Sequence, residues 1–171
     1  LPESQKEVKE GCFLKVDPEF KYRILKTPGG ETFKLCYQCG RCTATCPIAR
    51  FTRDFRPNKL IHMAKLGIRD VLKREEIWLC ATCYACTERC PQGILVTDVM
   101  KVLQQLAVEE GVTLDLHKSL VSNVIKTGFV NAFSASTLKR RESRGLPPLP
   151  KPELEDIKKL ADATGLTEMT E

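Results

Sequence analysis

Long apolar runs are missing from this chain. The longest stretch without Asp, Glu, Lys or Arg is Thr127 to Leu138, only 12 residues. A membrane-spanning helix needs roughly 18 or more apolar residues, so no membrane span is expected. The N-terminal segment LPESQKEVKEGC is charged and has no apolar centre of the signal-peptide kind, which points to a cytoplasmic protein. No Gly-rich dinucleotide fingerprint and no phosphate-binding P-loop occur, so this chain is not expected to bind a flavin, nicotinamide or nucleotide by itself. Histidine is scarce. His62 and His117 are the only two, and no C-x-x-C-H run is present. A Rieske centre is therefore not expected, covalent haem attachment has no motif, and the two histidines read as ordinary surface or core residues.

Cysteine, by contrast, is abundant. There are 9, an odd number, and 8 fall into two compact groups. Without an export signal, that clustering favours metal ligation over disulfides. Cys36, Cys39, Cys42 and Cys46 are followed by Pro47, and Cys80, Cys83, Cys86 and Cys90 by Pro91. Each cysteine of the second group lies 44 positions after its counterpart. The ninth, Cys12, stands alone and reads as a small apolar residue with a free thiol.

The spacing C-x2-C-x2-C-x3-C-P carries the chemistry. Three thiolates at a stride of three wrap three irons of one cubane. In two-cluster ferredoxins the fourth cysteine ligates the other cluster. The expected assignment is therefore crossed. Cys36, Cys39, Cys42 and Cys90 hold one [4Fe–4S] cluster, and Cys80, Cys83, Cys86 and Cys46 hold the second. The proline after each fourth cysteine turns the chain away from the cluster. Zinc is the competing reading, but structural zinc uses paired C-x2–4-C motifs, which the triple stride fits poorly. Both sets are complete, so no iron is left open for catalysis, and crossed ligands make the clusters close neighbours. Both features favour electron conduction. Gly40 and Gly93 are expected to let backbone N–H groups approach cluster sulfurs. Tyr37, Ile48, Trp78, Leu79, Tyr84 and Ile94 are expected to exclude water. Gln38, Arg41, Arg89 and Gln92 are candidates for donating to sulfur or facing a partner.

The formal charge of +5 falls to roughly +1 once eight thiolates and two oxidised cores are counted. A nucleic-acid reading is then weak. The KRRESR stretch is of mixed sign and carries no interleaved aromatics for base stacking.

The expected fold is mainly α. Residues 1–35 read as an extension with a small β-hairpin, Phe20 to Lys26 and Glu31 to Leu35, joined by the turn Thr27-Pro28-Gly29-Gly30. Residues 36–138 read as the cluster domain. In it, Pro57 opens a helix that Gly67 stops, and a short helix follows with Ile68, Val71 and Leu72 inward. Leu95, Val99, Val102, Leu103 and Leu106 mark a longer helix, opened by Thr97 or Asp98 and closed by Gly111. Leu116, Leu120, Val121, Val124, Ile125 and Phe129 mark another. Residues 139–171 read as a basic, Pro-rich extended linker to Pro152, then a short helix ended by Gly165, together a partner-docking tail.

The stretches CYQCGRCTATCPIAR (Cys36 to Arg50) and CATCYACTERCPQGILVTDVM (Cys80 to Met100) resemble the C subunit of heterodisulfide reductase. The pattern from Cys83 to Pro91 is more specific than a generic ferredoxin loop. The resemblance implies an α-helical ferredoxin fold. It also implies an electron-transfer role, without catalysis of its own, within an oxidoreductase complex of methanogenesis. Its partners would be a flavin- and iron–sulfur-containing A subunit and a B subunit that reduces the disulfide of coenzyme M and coenzyme B. A hydrogenase or formate dehydrogenase would connect through the A subunit. The alternatives are an iron–sulfur subunit of another anaerobic dehydrogenase or sulfur-metabolising complex, a structural metal module, and a freely diffusing ferredoxin. The long extensions argue against the last.

Overall fold

The computed structural model describes residues 15–131 and 133–168, and Cys12 lies outside them. Two compact units form, one reaching to Ala107 and one starting at Val108.

In the first unit the expected hairpin is absent. Phe20–Lys26 forms helix α1, and Phe33–Leu35 forms a 3-10 turn. Among the described residues the only β-type pairing is an isolated bridge between Val16 and Ile68. The reason is the spacing of the large apolar groups. Phe20 and Ile24 share a helical face and are both buried, whereas Tyr22, which a strand would put on that same side, is exposed. Arg23 and Lys26 complement the C-terminal end of the helix dipole. The turn itself forms as expected, but it joins a helix to a 3-10 turn. The Gly30 N–H donates to the Thr27 carbonyl at 2.9 Å, with Pro28 ahead of Gly29 at φ +95°, a type II arrangement.

The two cysteine loops follow a common plan. The first runs into α2 (Arg41–Thr45), and Cys46 then caps α3 (Pro47–Phe51), whose first residue is proline. The second runs into α5 (Ala85–Glu88), and Cys90 leads instead into a turn closed by the Gly93 N–H on the Cys90 carbonyl. Helix α4 (Pro57–Lys65) starts at its proline and gives way to Gly67 in the left-handed region. The 3-10 turns Arg69–Lys73 and Glu75–Leu79 lead to the second loop. Helix α6 (Val96–Glu109) starts one residue before the expected Thr97. The core between these elements is made by Phe20, Ile24, Phe33, Leu60, Leu72 and Leu103, all essentially inaccessible.

The second unit contains α7 (Asp115–Thr127), α8 (Ala135–Ser143) and α9 (Leu154–Ala163). The expected extended linker is partly helical. Ser134 caps α8 by accepting the Thr137 N–H at 3.2 Å, so residues 139–143 lie within a helix. Helix α7 ends at Gly128, φ +73°, where a Cβ would lie 2.3 Å from the Pro152 ring. Among the described residues of this unit Ala161 alone is buried.

Candidate metal centre

The backbone of each loop repeats as faithfully as its cysteines do. In the first, Gln38 and Gly40 take positive φ of 65° and 75°. In the second, Thr82 and Tyr84 take 48° and 60°. The residues flanking the middle cysteine are thus left-handed in both loops. Such alternation turns successive N–H groups toward one side and makes a concavity that favours negative charge. Three of these four residues carry a Cβ and adopt the conformation at a cost of roughly 1–3 kcal/mol each. Two separate stretches would not hold that strain alike without a common purpose. Thiolate-bound iron–sulfur cores are anionic, so the donor set and the backbone fit them. The backbone of Thr43 hydrogen-bonds the Cys42 sulfur and that of Thr82 the Cys80 sulfur, each favouring the thiolate.

The eight cysteines do not form eight independent thiols. Cys36, Cys39, Cys42 and Cys90 line one small hollow of about 20 Å³, together with Asn58, Ile61, Ile94 and Val96. Cys80 senses the charges of Cys86, Cys46 and Cys83. Helices α2 and α5 pack directly against each other, which brings the loops together. Cys42, Cys46 and Cys86 are buried, Cys36, Cys80 and Cys90 half-buried, and the middle cysteines, Cys39 and Cys83, are exposed. Burial pushes the Cys42 thiol up to about 11 and raises Cys80 as well, in both cases as the largest influence. A buried thiol keeps its proton until a metal displaces it, so ligation here releases protons.

Of the expected water-excluding residues only Ile94 is fully buried. Tyr37 is 58% exposed, and Leu79 and Tyr84 are also at the surface. Side chains beside a ligand in sequence point outward from a loop this tight. The seal around the first hollow is instead made by Ile61, Ile94 and Val96, from α4 and the entry to α6. Gln38 behaves as one of its two expected roles requires, its amide lying 3.3 Å from the Cys36 sulfur. Gly40 and Gly93 are needed for their positive φ, since a Cβ on either meets nothing within 4 Å.

Two threonines emerge that spacing did not single out. Thr43 and Thr87 follow the third cysteine of each loop, and each caps a later helix. The Asn58 N–H donates to Thr43 Oγ1 at 3.1 Å, and the Thr97 N–H donates to Thr87 Oγ1 at 3.0 Å. Asn58 and Thr97 are the second residues of α4 and α6. Thr97 is buried, and its hydroxyl lies 3.4 Å from the Cys86 sulfur. A ligating thiolate can only accept, so the order is fixed. Thr87 Oγ1 donates to Thr97 Oγ1 at 3.2 Å, and Thr97 donates to sulfur. The available signal was the shared Thr after each third cysteine, visible in the 44-residue repeat.

Comparison with known proteins agrees with this geometry. The family model of the 4Fe-4S dicluster domain matches residues 32–94, a span that holds all eight clustered cysteines. The C subunit of the H(2):CoB-CoM heterodisulfide,ferredoxin reductase of Methanothermobacter thermautotrophicus is 37% identical over 161 residues, 90% of this chain and 86% of the relative. The C subunit of the ferredoxin/F(420)H(2)-dependent CoB-CoM heterodisulfide reductase of Methanosarcina acetivorans is 38% identical over 128 residues, 75% of this chain and 78% of the relative. The C2 subunit of the H(2)/formate:CoB-CoM heterodisulfide,ferredoxin reductase of Methanococcus maripaludis is 43% identical over 115 residues, 67% of this chain and 62% of the relative. With two iron–sulfur loops built on one backbone plan and relatives matched over most of its length, this chain belongs to the family of heterodisulfide reductase C subunits, proteins built around a 4Fe-4S dicluster domain.

Proposed function

We propose that this chain is the electron relay of a heterodisulfide reductase complex. It would connect a flavin-containing A subunit with a B subunit that reduces the coenzyme M–coenzyme B disulfide. The observation that carries the reading is the shared hollow of Cys36, Cys39, Cys42 and Cys90, in which the fourth thiol comes from the other loop. Crossed ligation of this kind assigns Cys80, Cys83, Cys86 and Cys46 to the second cluster. When bound, each [4Fe–4S] cluster supplies a one-electron acceptor and donor. The chain's own residues do the rest. Eight thiols saturate the irons and leave no position for substrate, so the role is conduction. Direct packing of α2 on α5 keeps the centres adjacent. Exposed Cys39 and Cys83 bring one edge of each centre to the surface, where a partner can approach. Among the described residues no helix is long and apolar enough to cross a membrane. The second unit, with its sparse core, serves in this reading as a docking extension.

The test is anaerobic reconstitution with purified A and B subunits, followed by freeze-quench electron paramagnetic resonance. Reductant supplied to the A subunit should produce reduced-cluster signals from this chain. Heterodisulfide added with the B subunit should abolish them. Signals that respond to neither would exclude the relay role and leave a structural one.

A further inference from the structure

A second concavity lies on the outer side of the cluster loops. It is open, about 780 Å³, and is lined by Arg41, Ala44, Thr45 and Arg50 from the first loop region and by Glu88, Arg89, Cys90 and Pro91 from the second. All three arginines are exposed, and among the described residues none of the three guanidinium groups makes a hydrogen bond or ion pair. Three unpaired cations around one hollow repel each other, and Glu88 is the single acidic group in the lining. Beside Arg50, at the end of α3, Phe51 is 91% exposed, the most exposed large apolar side chain among the described residues. Arginine with an exposed aromatic is the composition of interface anchors. Cys90 and Pro91 line this hollow and the first-cluster hollow alike, so the two share a wall.

We propose that this arginine hollow, with exposed Phe51 following Arg50 in the chain, docks an acidic surface of the redox subunit that exchanges electrons with the first cluster. The inference rests on the relay reading and adds to it where and by what chemistry contact is made. A small anion is a poorer occupant, because binding sites for small molecules enclose most of the ligand and this hollow is wide open. A nucleic acid is a poorer one too, since Glu88 repels phosphates and Phe51 offers a single stacking ring. An acidic protein face satisfies the arginines, accepts Phe51 and steers itself to the face nearest Cys90.

The experiment uses the full chain loaded with its clusters. Arg41→Gln, Arg50→Gln and Arg89→Gln are combined, and binding to the purified A and B subunits is measured separately across a salt series. Each exposed charge contributes a factor of about two to three, so the triple variant should bind one subunit about tenfold more weakly at low salt, with a flatter salt dependence. Glu88→Lys should bind that same subunit more tightly, and this second variant guards against a merely damaged surface. Cluster signals on dithionite reduction should match the unsubstituted protein in both. Unchanged affinity in the triple variant, with the unsubstituted chain still binding both subunits, overturns the docking surface and leaves the relay reading intact. An unsubstituted chain that binds neither subunit overturns both. Tighter binding of this hollow to single-stranded RNA than to either subunit would also overturn it.

Discussion

Thr97→Val removes one atom's worth of chemistry from the second cluster set and leaves the side-chain volume nearly unchanged. In the structure Thr97 Oγ1 stands 3.4 Å from Cys86 Sγ, is itself held by Thr87 at 3.2 Å, and is shielded from water. A hydrogen bond to a charged acceptor contributes about 1.5–3 kcal/mol in favourable cases. The bond persists in both oxidation states but is stronger when the sulfur is more negative, after reduction. Taking the difference as about 1 kcal/mol, a one-electron couple shifts by about 40 mV, since 59 mV corresponds to about 1.4 kcal/mol. The sign is fixed. Losing the donor destabilises the reduced form more, so the potential of the cluster ligated by Cys86 falls. The assay is an anaerobic redox titration followed by electron paramagnetic resonance, with Thr97→Ser as the variant that keeps the hydroxyl. One of the two potentials should drop by tens of millivolts in the valine variant and recover in the serine variant. A shift in neither potential, an upward shift, or equal loss in valine and serine would refute the reasoning.

Other expectations are equally direct. Cys90→Ala should abolish the cluster whose remaining ligands are Cys36, Cys39 and Cys42 and spare its neighbour's signal; damage confined to the second-loop cluster would contradict the crossed ligand sets. Gly67→Ala places a Cβ 2.3 Å from the Asp17 carbonyl oxygen at φ +76° and should destabilise the fold by about 3 kcal/mol or more in denaturant unfolding. Gly40→Ala meets only open space and should lose about 1 kcal/mol from its positive φ. Burial pushes the Glu76 carboxyl up, but its own backbone N–H and the Arg74 guanidinium, 2.5 Å away, outweigh it and leave the group below its usual value. The pair therefore stabilises the fold at neutral pH, and this contribution fades as pH falls through that lowered value. Glu76→Gln should flatten the acid limb of the stability curve by less than about 1 kcal/mol, since the pair is partly exposed.

The cysteine spacing made the metal chemistry legible, because ligand geometry leaves few ways to arrange thiolates around a cubane. The helices after Pro57 and Leu95 were legible for a different reason. Their apolar residues recur at helical spacing, and a proline at Pro57 and a glycine at Gly111 mark a start and a stop. The segment Phe20 to Lys26 misled. Its aromatic and β-branched residues favour strands, yet a strand would put Tyr22 on the same side as Phe20 and Ile24, and Tyr22 is exposed while those two are buried. The KRRESR stretch misled similarly, since its charges mask a helix that Ser134 initiates five residues before the basic run. The hidden part of the site is Thr97. Its role depends on α6 starting where Thr87 caps it, and that contact spans ten residues with no sequence signature of its own.

The 44-residue repeat also shows where two nearly identical centres can differ. Ligand number, ligand type and the left-handed positions are shared, so none of these can separate the two potentials. What differs is the side chains between the ligands and on the helices around them. The first set receives the Gln38 amide at Cys36 and is walled by Asn58 and Ile61 from α4. The second receives the buried Thr97 hydroxyl, and the loop residue corresponding to Gly40 is Tyr84, whose hydroxyl bonds Asp98 at 3.1 Å and whose ring lies 4.8 Å from the Lys101 ammonium. The Tyr84 and Asp98 bonds raise the Lys101 pKa and hold its charge beside the second loop, whereas beside the first the Lys65 ammonium donates to the Cys36 carbonyl. A relay needs unequal neighbours to give its electrons a direction. This chain places the inequality in α4, in α6 and in one substituted glycine position, while the cysteines that define the centres stay equivalent.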